Sequence, residues 1–252
     1  MKKILAVIFM LAATSALYAE GGKTDTFRYK CVDVKGEKLW ESNITVTPVK
    51  GEKDNYLMAE EIKGRYHGSD GITSRTREMR YIKNKERLTP LSMDEKVFSE
   101  SGKPIRESAH RFYPDKRTVE CEVKDLLTGK VKKKTLKYDG DIINGMVMDD
   151  YIEMFLEAGQ KKKTAYLLGD DTELYRVTLR VVAREEVTVN GKTREAYKIT
   201  VDPEIGLFNP VKMFITRNYE WYSCEPPYEW LKFQGLESSL DSPIVEMTPI
   251  GE

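Results

Sequence analysis

Turn-forming residues recur at short intervals through the first half of this chain and restrict its fold more than any other feature. Between Thr24 and Tyr138 they separate short segments in which apolar and polar residues alternate, as at Phe27, Tyr29 and Cys31. The turn signals are Lys35-Gly36, Gly51-Glu52, Ser69-Asp70-Gly71, Lys83-Asn84, Ser101-Gly102-Lys103-Pro104 and Thr128-Gly129. This pattern predicts seven or eight antiparallel strands joined by hairpins.

One stretch in the second half has the period of a helix. Asp150 is placed to cap it and Glu153 to complete a capping box, while Ile152 and Phe155 share one face and Gly159 follows the last turn. The pattern predicts a helix of about nine residues, roughly 13 Å long. Because an isolated helix of this length is marginal in water, its apolar face is expected to pack on the sheet.

A long hairpin is predicted from Thr172 to Val201. Asn190-Gly191 is typical of a two-residue type I′ turn, but that register places Val181 opposite a polar residue. A three-residue loop, Val189-Asn190-Gly191, with Gly191 in a bulge, restores apolar partners across the hairpin. The alternation therefore predicts the bulged loop.

Three further segments have strand character, namely Lys212 to Tyr222, Trp230 to Gly235 and Ile244 to Met247. Many antiparallel strands with one inserted helix favour a mainly β fold. We expect a strongly curved antiparallel sheet, or open half-barrel, with one short helix packed on its concave face.

The first nineteen residues have the features of an export signal. Lys2 and Lys3 are followed by an apolar run from Ile4 to Ala13 and by small residues up to Ala19. The sequence thus predicts a signal peptide over 1–19 and a single β-rich domain over 20–252 in the periplasm. Cys31 is not preceded by the small residues of a lipidation site, so a lipoprotein is not expected.

The charges exclude some partners. The chain has 41 basic and 41 acidic side chains, a balance that provides no long-range field for nucleic acid. After the signal, no apolar run approaches the roughly 20 residues of a membrane helix. The expected membrane contact is peripheral at most.

Candidate catalytic and metal-binding residues are few. Cys31, Cys121 and Cys224 leave the choice of any disulfide pair open, and Cys224 lies in a predicted loop. Glu107 and His110 have metal-ligand spacing only on a helix, whereas this segment alternates as a strand, and His67 lies near a turn without other ligands. No phosphate loop or nucleophile motif is present. The sequence predicts no metal, no cofactor and no enzymatic activity.

An aromatic cluster is the densest unusual feature. Two readings remain open for it, namely cross-strand packing in the sheet core and the lining of a site for an apolar or sugar-like ligand. The six aromatic residues are Tyr219, Trp221, Tyr222, Tyr228, Trp230 and Phe233. With the apolar face of the helix, the second reading gives Ile152, Phe155, Trp221, Tyr222, Tyr228 and Trp230 as candidate ligand-binding residues.

A further pattern runs through the second half of the chain. It consists of Asp149-Asp150-Tyr151-Ile152 through Gly159, Leu168-Gly169, Tyr175, Arg184-Glu185, Val189, Gly191 and Val201-Asp202-Pro203. On these residues the chain resembles, over roughly Thr118 to Met247, an exported bacterial family, domain of unknown function 3108. The family is similar in fold to periplasmic lipoprotein carriers and receptors, in which a half-open antiparallel barrel is covered by helices over an apolar cavity. The resemblance implies no catalytic residue.

These features predict a non-enzymatic periplasmic protein that binds or carries an apolar ligand such as a lipid or acyl chain. The alternative is a cell-envelope module that contacts another protein through its sheet edge or an aromatic patch. A hydrolase using Cys224 or a histidine is the least favoured interpretation.

Overall fold

A single antiparallel sheet dominates the computed structural model, which describes residues 23–66, 71–170, 172–204, 217–237 and 242–251. The first half supplies eight strands, as the turn signals predict. They are β1 (Asp25–Asp33), β2 (Lys38–Pro48), β3 (Asn55–Arg65), β4 (Ile72–Lys83), β5 (Leu88–Phe98), β6 (Pro104–Tyr113), β7 (Thr118–Asp125) and β8 (Val131–Lys137).

The second half adds seven strands and one α-helix among the described residues. They are β9 (Ile142–Asn144), α1 (Met148–Glu157), β10 (Lys162–Leu168), β11 (Leu174–Val189), β12 (Lys192–Pro203), β13 (Tyr219–Ser223), β14 (Trp230–Leu236) and β15 (Ile244–Pro249). The mainly β fold class with one short helix is therefore confirmed. The expected signal peptide, His67, Ser69-Asp70 and the start of the segment from Lys212 lie outside the described residues.

The strand order is β8-β7-β6-β5-β4-β3-β2-β1-β15-β14-β13-β12-β11-β10-β9. Neighbours are antiparallel, apart from the parallel pair of β9 with β10. Helix α1 forms the crossover that a parallel pair requires. It packs against the inner face of the sheet, where its apolar residues join the main core cluster.

The predicted capping of α1 is wrong at its start and confirmed at its end. The helix begins at Met148, before Asp150, and its N-cap residue Val147 makes no side-chain capping bond. At the other end Gly159 has a φ of 62° and its N–H donates to the Leu156 carbonyl, while Gln160 donates to Phe155. This Schellman arrangement explains the glycine.

The predicted loop of the β11–β12 hairpin is also wrong. Val189 pairs with Lys192, so Asn190-Gly191 forms a two-residue turn in which both residues have positive φ. The register shifts instead in the middle of β11, between Val181 and Ala183. This bulge restores the apolar pairing that the three-residue loop was expected to provide.

The two edges of the sheet meet through side chains. Strands β8 and β9 are separated by only four residues in the chain, yet in the described part of the structure they stand at opposite ends of the strand order. A second apolar cluster bridges them, formed by Phe112, Val119, Cys121, Tyr138, Ile142 and Leu168. The Lys134 ammonium on β8 adds an ion pair to Glu173, near β11, at 2.5 Å. We call this junction the seam.

Candidate functional site

Helix α1 is buried along most of its length although it carries three inward acidic residues. Asp149, Asp150 and Glu153 are each at most 4% exposed. The Lys83 ammonium donates to Asp150 Oδ1 at 2.9 Å and to Glu153 Oε2 at 2.6 Å. Burial opposes the charged form of Lys83, but the two carboxylates raise its pKa above the ordinary value. A charged lysine at the end of β4 therefore fixes the helix to the sheet.

Tyr222 and Trp230 are held on the other side of the helix by hydrogen bonds to buried carboxyl groups. The Tyr222 hydroxyl donates to Asp149 Oδ1 at 2.6 Å, and the Trp230 indole donates to Glu220 Oε2 at 2.7 Å. Burial and the negative charge of Asp149 raise the pKa of Glu220 well above its ordinary value. Glu220 therefore ionises less readily than an exposed glutamate.

The structure brings five of the six predicted ligand-binding residues together. Ile152, Phe155, Tyr222 and Trp230 are almost completely buried in the main core cluster, and Tyr228 packs against it from the rim. Tyr29 meets the Trp230 ring edge-on, with 5.2 Å between ring centroids. This aromatic side of the inner face is closely packed around α1.

Trp221 lies on the opposite face of the sheet, away from the helix. Successive side chains in a strand point to opposite faces, so Trp221 and its neighbour Tyr222 cannot share one environment. Trp221 donates to Glu185 Oε1 at 2.9 Å, and the ammonium groups of Lys198 and Lys232 lie over its ring. The grouping of Trp221 with the helix face is therefore corrected.

Methionine is concentrated on the inner face. Every methionine in the described part of the chain belongs to the main core cluster, and each is at most 9% exposed. Sequence reasoning missed this group because its members are distant in the chain. They are Met58, Met79 and Met93 on β3 to β5, Met146, Met148 and Met154 in and before α1, and Met247 on β15.

A buried ionic cluster lies on the inner face beside the methionines of β3 to β5. Arg77 Nε donates to Glu60 Oε2 at 2.6 Å, and the Ser42 hydroxyl donates to Glu60 Oε1 at 2.6 Å. Each of these three side chains is at most 4% exposed. This half of the cluster is thus a closed hydrogen-bonded unit.

The other half of the cluster reaches across the inside of the sheet. Arg75 NH1 contacts Asp170 Oδ2 at 2.9 Å and Glu95 Oε2 at 3.3 Å, while Arg106 NH2 contacts Glu95 Oε1 at 2.6 Å. Burial alone would raise the pKa of Asp170, but Arg75 and the neighbouring arginines lower it. The signal in the sequence is the placement of Arg75 two residues before Arg77, on the face shared with Met79.

His110 is the buried polar side chain with the fewest partners in this region. It is 1% exposed, and neither ring nitrogen has a hydrogen-bond partner among the described residues. Burial lowers the pKa of His110, so the imidazole is neutral. An unsatisfied buried polar group costs about 1–3 kcal/mol, and such a group in a folded protein requires an explanation.

The three cysteines are free thiols. Cys31 and Cys121 are buried, and burial raises the pKa of Cys121 to about 11. Burial also raises the pKa of the partly exposed Cys224, whose charged neighbours include Arg184 and Glu195. In the part of the chain that the structure describes, no group of three or more His, Cys, Asp and Glu side chains is placed to hold a metal ion.

The outer face of the sheet carries a shallow groove of about 280 Å³. Its lining includes Glu61, Glu78, Asp94 and Lys96, so it is a polar surface, whereas the inner face carries the main apolar core. Within the described ranges, no helix has both the length and the hydrophobicity needed to cross a membrane.

Comparison with known proteins identifies a similar fold. The search of solved structures finds a beta-barrel-like protein of domain of unknown function 1849 from Brucella abortus, with a TM-score of 0.51 and 9% sequence identity. The match covers 90% of this chain and 94% of that chain. At this identity the likeness concerns the fold alone.

No family model matches the chain, and no curated protein matches it. The resemblance to domain of unknown function 3108 is therefore not confirmed, whereas a barrel-like fold is supported by the structural neighbour.

Proposed function

We propose that this chain is a non-enzymatic periplasmic protein that binds and carries an apolar ligand such as a lipid or an acyl chain. The observation that carries the proposal is the methionine-rich inner face of a barrel-like sheet around one helix. Methionine side chains are flexible and polarisable, and they repack around partners of different shape. The export-signal pattern from Lys2 to Ala19 supports the compartment.

The ligand is expected between α1 and the β3–β5 part of the sheet. Met58 and Met79 lie on the sheet side, and Met146 and Met148 lie in and before the helix. On the aromatic side, hydrogen bonds fix Tyr222 and Trp230, so that side is less able to repack. The methionine side therefore offers the easier place for an acyl chain.

The adjacent ionic cluster suits the polar end of an amphipathic ligand. Met79 and Arg77 are two residues apart on β4, and Met58 and Glu60 are two residues apart on β3, so each pair shares the inner face. A chain lying on the methionines would place its headgroup near guanidinium groups. This arrangement favours lipids or fatty acids over purely apolar molecules.

The environment of Cys224 supports a non-enzymatic role. A nucleophilic cysteine needs a lowered pKa and a base within hydrogen-bond reach. Burial raises the pKa of Cys224 instead, and its charged neighbours include Arg184 and Glu195.

The first test is native mass spectrometry of the protein purified from the periplasm, with organic extraction of any bound molecule. We expect a lipid-like adduct at one per chain. The delipidated protein should then bind a fluorescent 18-carbon fatty acid saturably. The double variant Met58→Leu/Met79→Leu should bind it about tenfold more weakly, a loss of about 1.4 kcal/mol, because leucine repacks less readily.

Trp221→Ala is the matched control because it removes a large aromatic side chain from the other face of the sheet. It should leave fatty-acid binding unchanged. A bare mass together with no saturable binding would contradict the carrier and favour the envelope interaction module. The described surface for that module is the β7–β8 hairpin tip, where Leu126, Leu127 and Val131 are 39%, 65% and 53% exposed.

A further inference from the structure

Five side chains with soft donor atoms or an imidazole form one row across strands β3 to β7. Each residue lies directly opposite the next in the strand register, and all five are at most 4% exposed. Directly opposed residues in antiparallel strands have Cβ atoms roughly 4.5–5.5 Å apart. We call this row the sulfur row; it consists of Met58, Met79, Met93, His110 and Cys121.

His110 is the side chain in this row that points to a ligand. Its two ring nitrogens have no partner among the described residues, and burial keeps the imidazole neutral by lowering its pKa. A neutral imidazole has one nitrogen lone pair free for coordination. Its neighbours in the row are the Met93 thioether on one side and the Cys121 thiol on the other.

Met93 is held in place by Asn144, the last residue of β9. The Asn144 Nδ2 group lies 3.0 Å from the Met93 sulfur, while Asn144 Oδ1 accepts the Met146 N–H at 3.1 Å. Because the second contact fixes the orientation of the Asn144 amide, the first fixes the position of the sulfur. The row therefore has an ordered thioether next to the unpartnered imidazole.

We propose that Met93, His110 and Cys121 bind one soft monovalent cation, Cu(I) or Ag(I), with the Met79 thioether as the next donor in the row. Thioether, imidazole and thiolate are the donors that Cu(I) prefers. The metal–sulfur bond to Cys121 replaces its S–H bond, so one proton is released for each cation bound. No electron is transferred.

The donor set disfavours zinc. Structural zinc is held by four ligands, mostly thiolate and imidazole. The row supplies one thiol and one imidazole, and no third His, Cys, Asp or Glu in the described part of the structure joins them as a metal group. Selectivity for a monovalent soft cation follows from the thioethers.

The seam provides a path to the row. Cys121 on β7 pairs with Lys134 on β8, and β8 is an edge strand in the described sheet. Movement of β8 would break the ion pair of Lys134 with Glu173 and expose Cys121 without opening the central strands.

The test is titration with Ag(I), a monovalent probe without redox chemistry under these conditions, in competition with a chelator of known affinity. The protein is prepared as Cys31→Ala/Cys224→Ser, so that Cys121 is its one thiol. We expect one Ag(I) per chain by native mass spectrometry, with protection of Cys121 from alkylation. His110→Leu should weaken binding more than tenfold, because loss of a supporting group alone reduces metal affinity by about 10–100-fold.

Met93→Leu is the second variant, since it keeps the side-chain volume, and it should also weaken Ag(I) binding. Met247→Leu is the control, because Met247 lies on β15 outside the row; it should bind Ag(I) like the parent. Circular dichroism verifies that each variant is folded. Equal affinity in the His110→Leu and parent proteins, or no Ag(I) retained by the folded parent, would overturn the proposal.

Discussion

At the scale of single residues, all three tryptophans donate the indole N–H to a glutamate. The Trp40 indole donates to Glu237 at 3.0 Å. The Trp230 indole donates to Glu220, which is buried, and the Trp221 indole donates to Glu185, which is more exposed. Burial raises the pKa of Glu220, whereas the Trp221 hydrogen bond lowers that of Glu185. The two glutamates therefore accept the same kind of hydrogen bond, but folding favours the protonated form of Glu220 and the ionised form of Glu185.

This contrast predicts opposite pH dependences of stability. Folding raises the pKa of Glu220 above its value in the unfolded chain, which is near 4.5. The protonated side chain therefore stabilises the protein at low pH, and this stability is lost as the pH rises above 4.5. Replacing Glu220 by glutamine removes this loss. The unfolding free energy of Glu220→Gln relative to wild type should therefore increase as the pH rises above 4.5, by at most about 1.4 kcal/mol per pH unit.

Urea unfolding at several pH values measures both effects. Glu185→Gln is the control, because the lowered pKa of Glu185 gives stability above pH 4.5 that is lost on acidification. Its unfolding free energy relative to wild type should fall as the pH rises towards 4.5 and stay level above that pH. Parallel pH profiles for wild type and Glu220→Gln would show that folding does not raise the pKa of Glu220.

Residue alternation predicted the core aromatics but not their partners. Phe155, Tyr222 and Trp230 lie in the main core as the aromatic and helical patterns suggest. Their carboxyl partners come from other elements, as does Lys83, which lies 67 residues before Asp150. Local spacing suggested that Asp150 caps the helix. It contains no information on Lys83, the cation that the fold brings next to Asp150.

At the scale of elements, the β11–β12 hairpin shows how a mid-strand bulge changes a sequence prediction. Uninterrupted alternation would require a three-residue loop, whereas the structure keeps the two-residue turn and places the phase change at Val182. Val182 is 47% exposed. The signal was the consecutive apolar pair Val181-Val182, which breaks the alternation at that point.

The turn itself can be tested at Gly191. Its φ is 74°, and an added Cβ would have no heavy atom within 4 Å. Gly191→Ala should therefore be destabilising through backbone strain alone, by about 1–2 kcal/mol. Lys192→Ala, an exposed strand position next to the turn, is the control. Equal urea midpoints for the two variants would argue against the two-residue turn.

At the scale of the whole molecule, the seam joins the sheet edges by packing in place of a ladder of backbone hydrogen bonds. Leu168 on β10 is 3% exposed and packs in the seam cluster with residues of β6 and β7. Truncation of such a residue costs about 2–5 kcal/mol. Leu168→Ala should therefore open the seam before the rest of the sheet unfolds.

Hydrogen exchange can measure this opening. We expect amides of β8 and β9 to exchange faster in Leu168→Ala than in wild type, while amides of β3 and β4 change less, because the latter pair with neighbours on both sides. Val131→Ala, at an exposed position of β8, is the control. Uniform acceleration across all strands would mean that the seam does not open separately.

The strand order also has a consequence for how the chain reaches this structure. Strands β1 to β8 pair in succession, as do β9 to β15, and the pairing of β1 with β15 joins the two series. Read from β10 through β15 and then from β1 through β8, the sheet is an unbroken antiparallel meander, to which β9 adds one parallel strand at the edge. This part of the topology is a circular permutation of the simplest all-neighbour sheet. Nearly every pairing is consequently local in the chain, which favours fast folding for a sheet of this size, and one distant pairing joins the two halves.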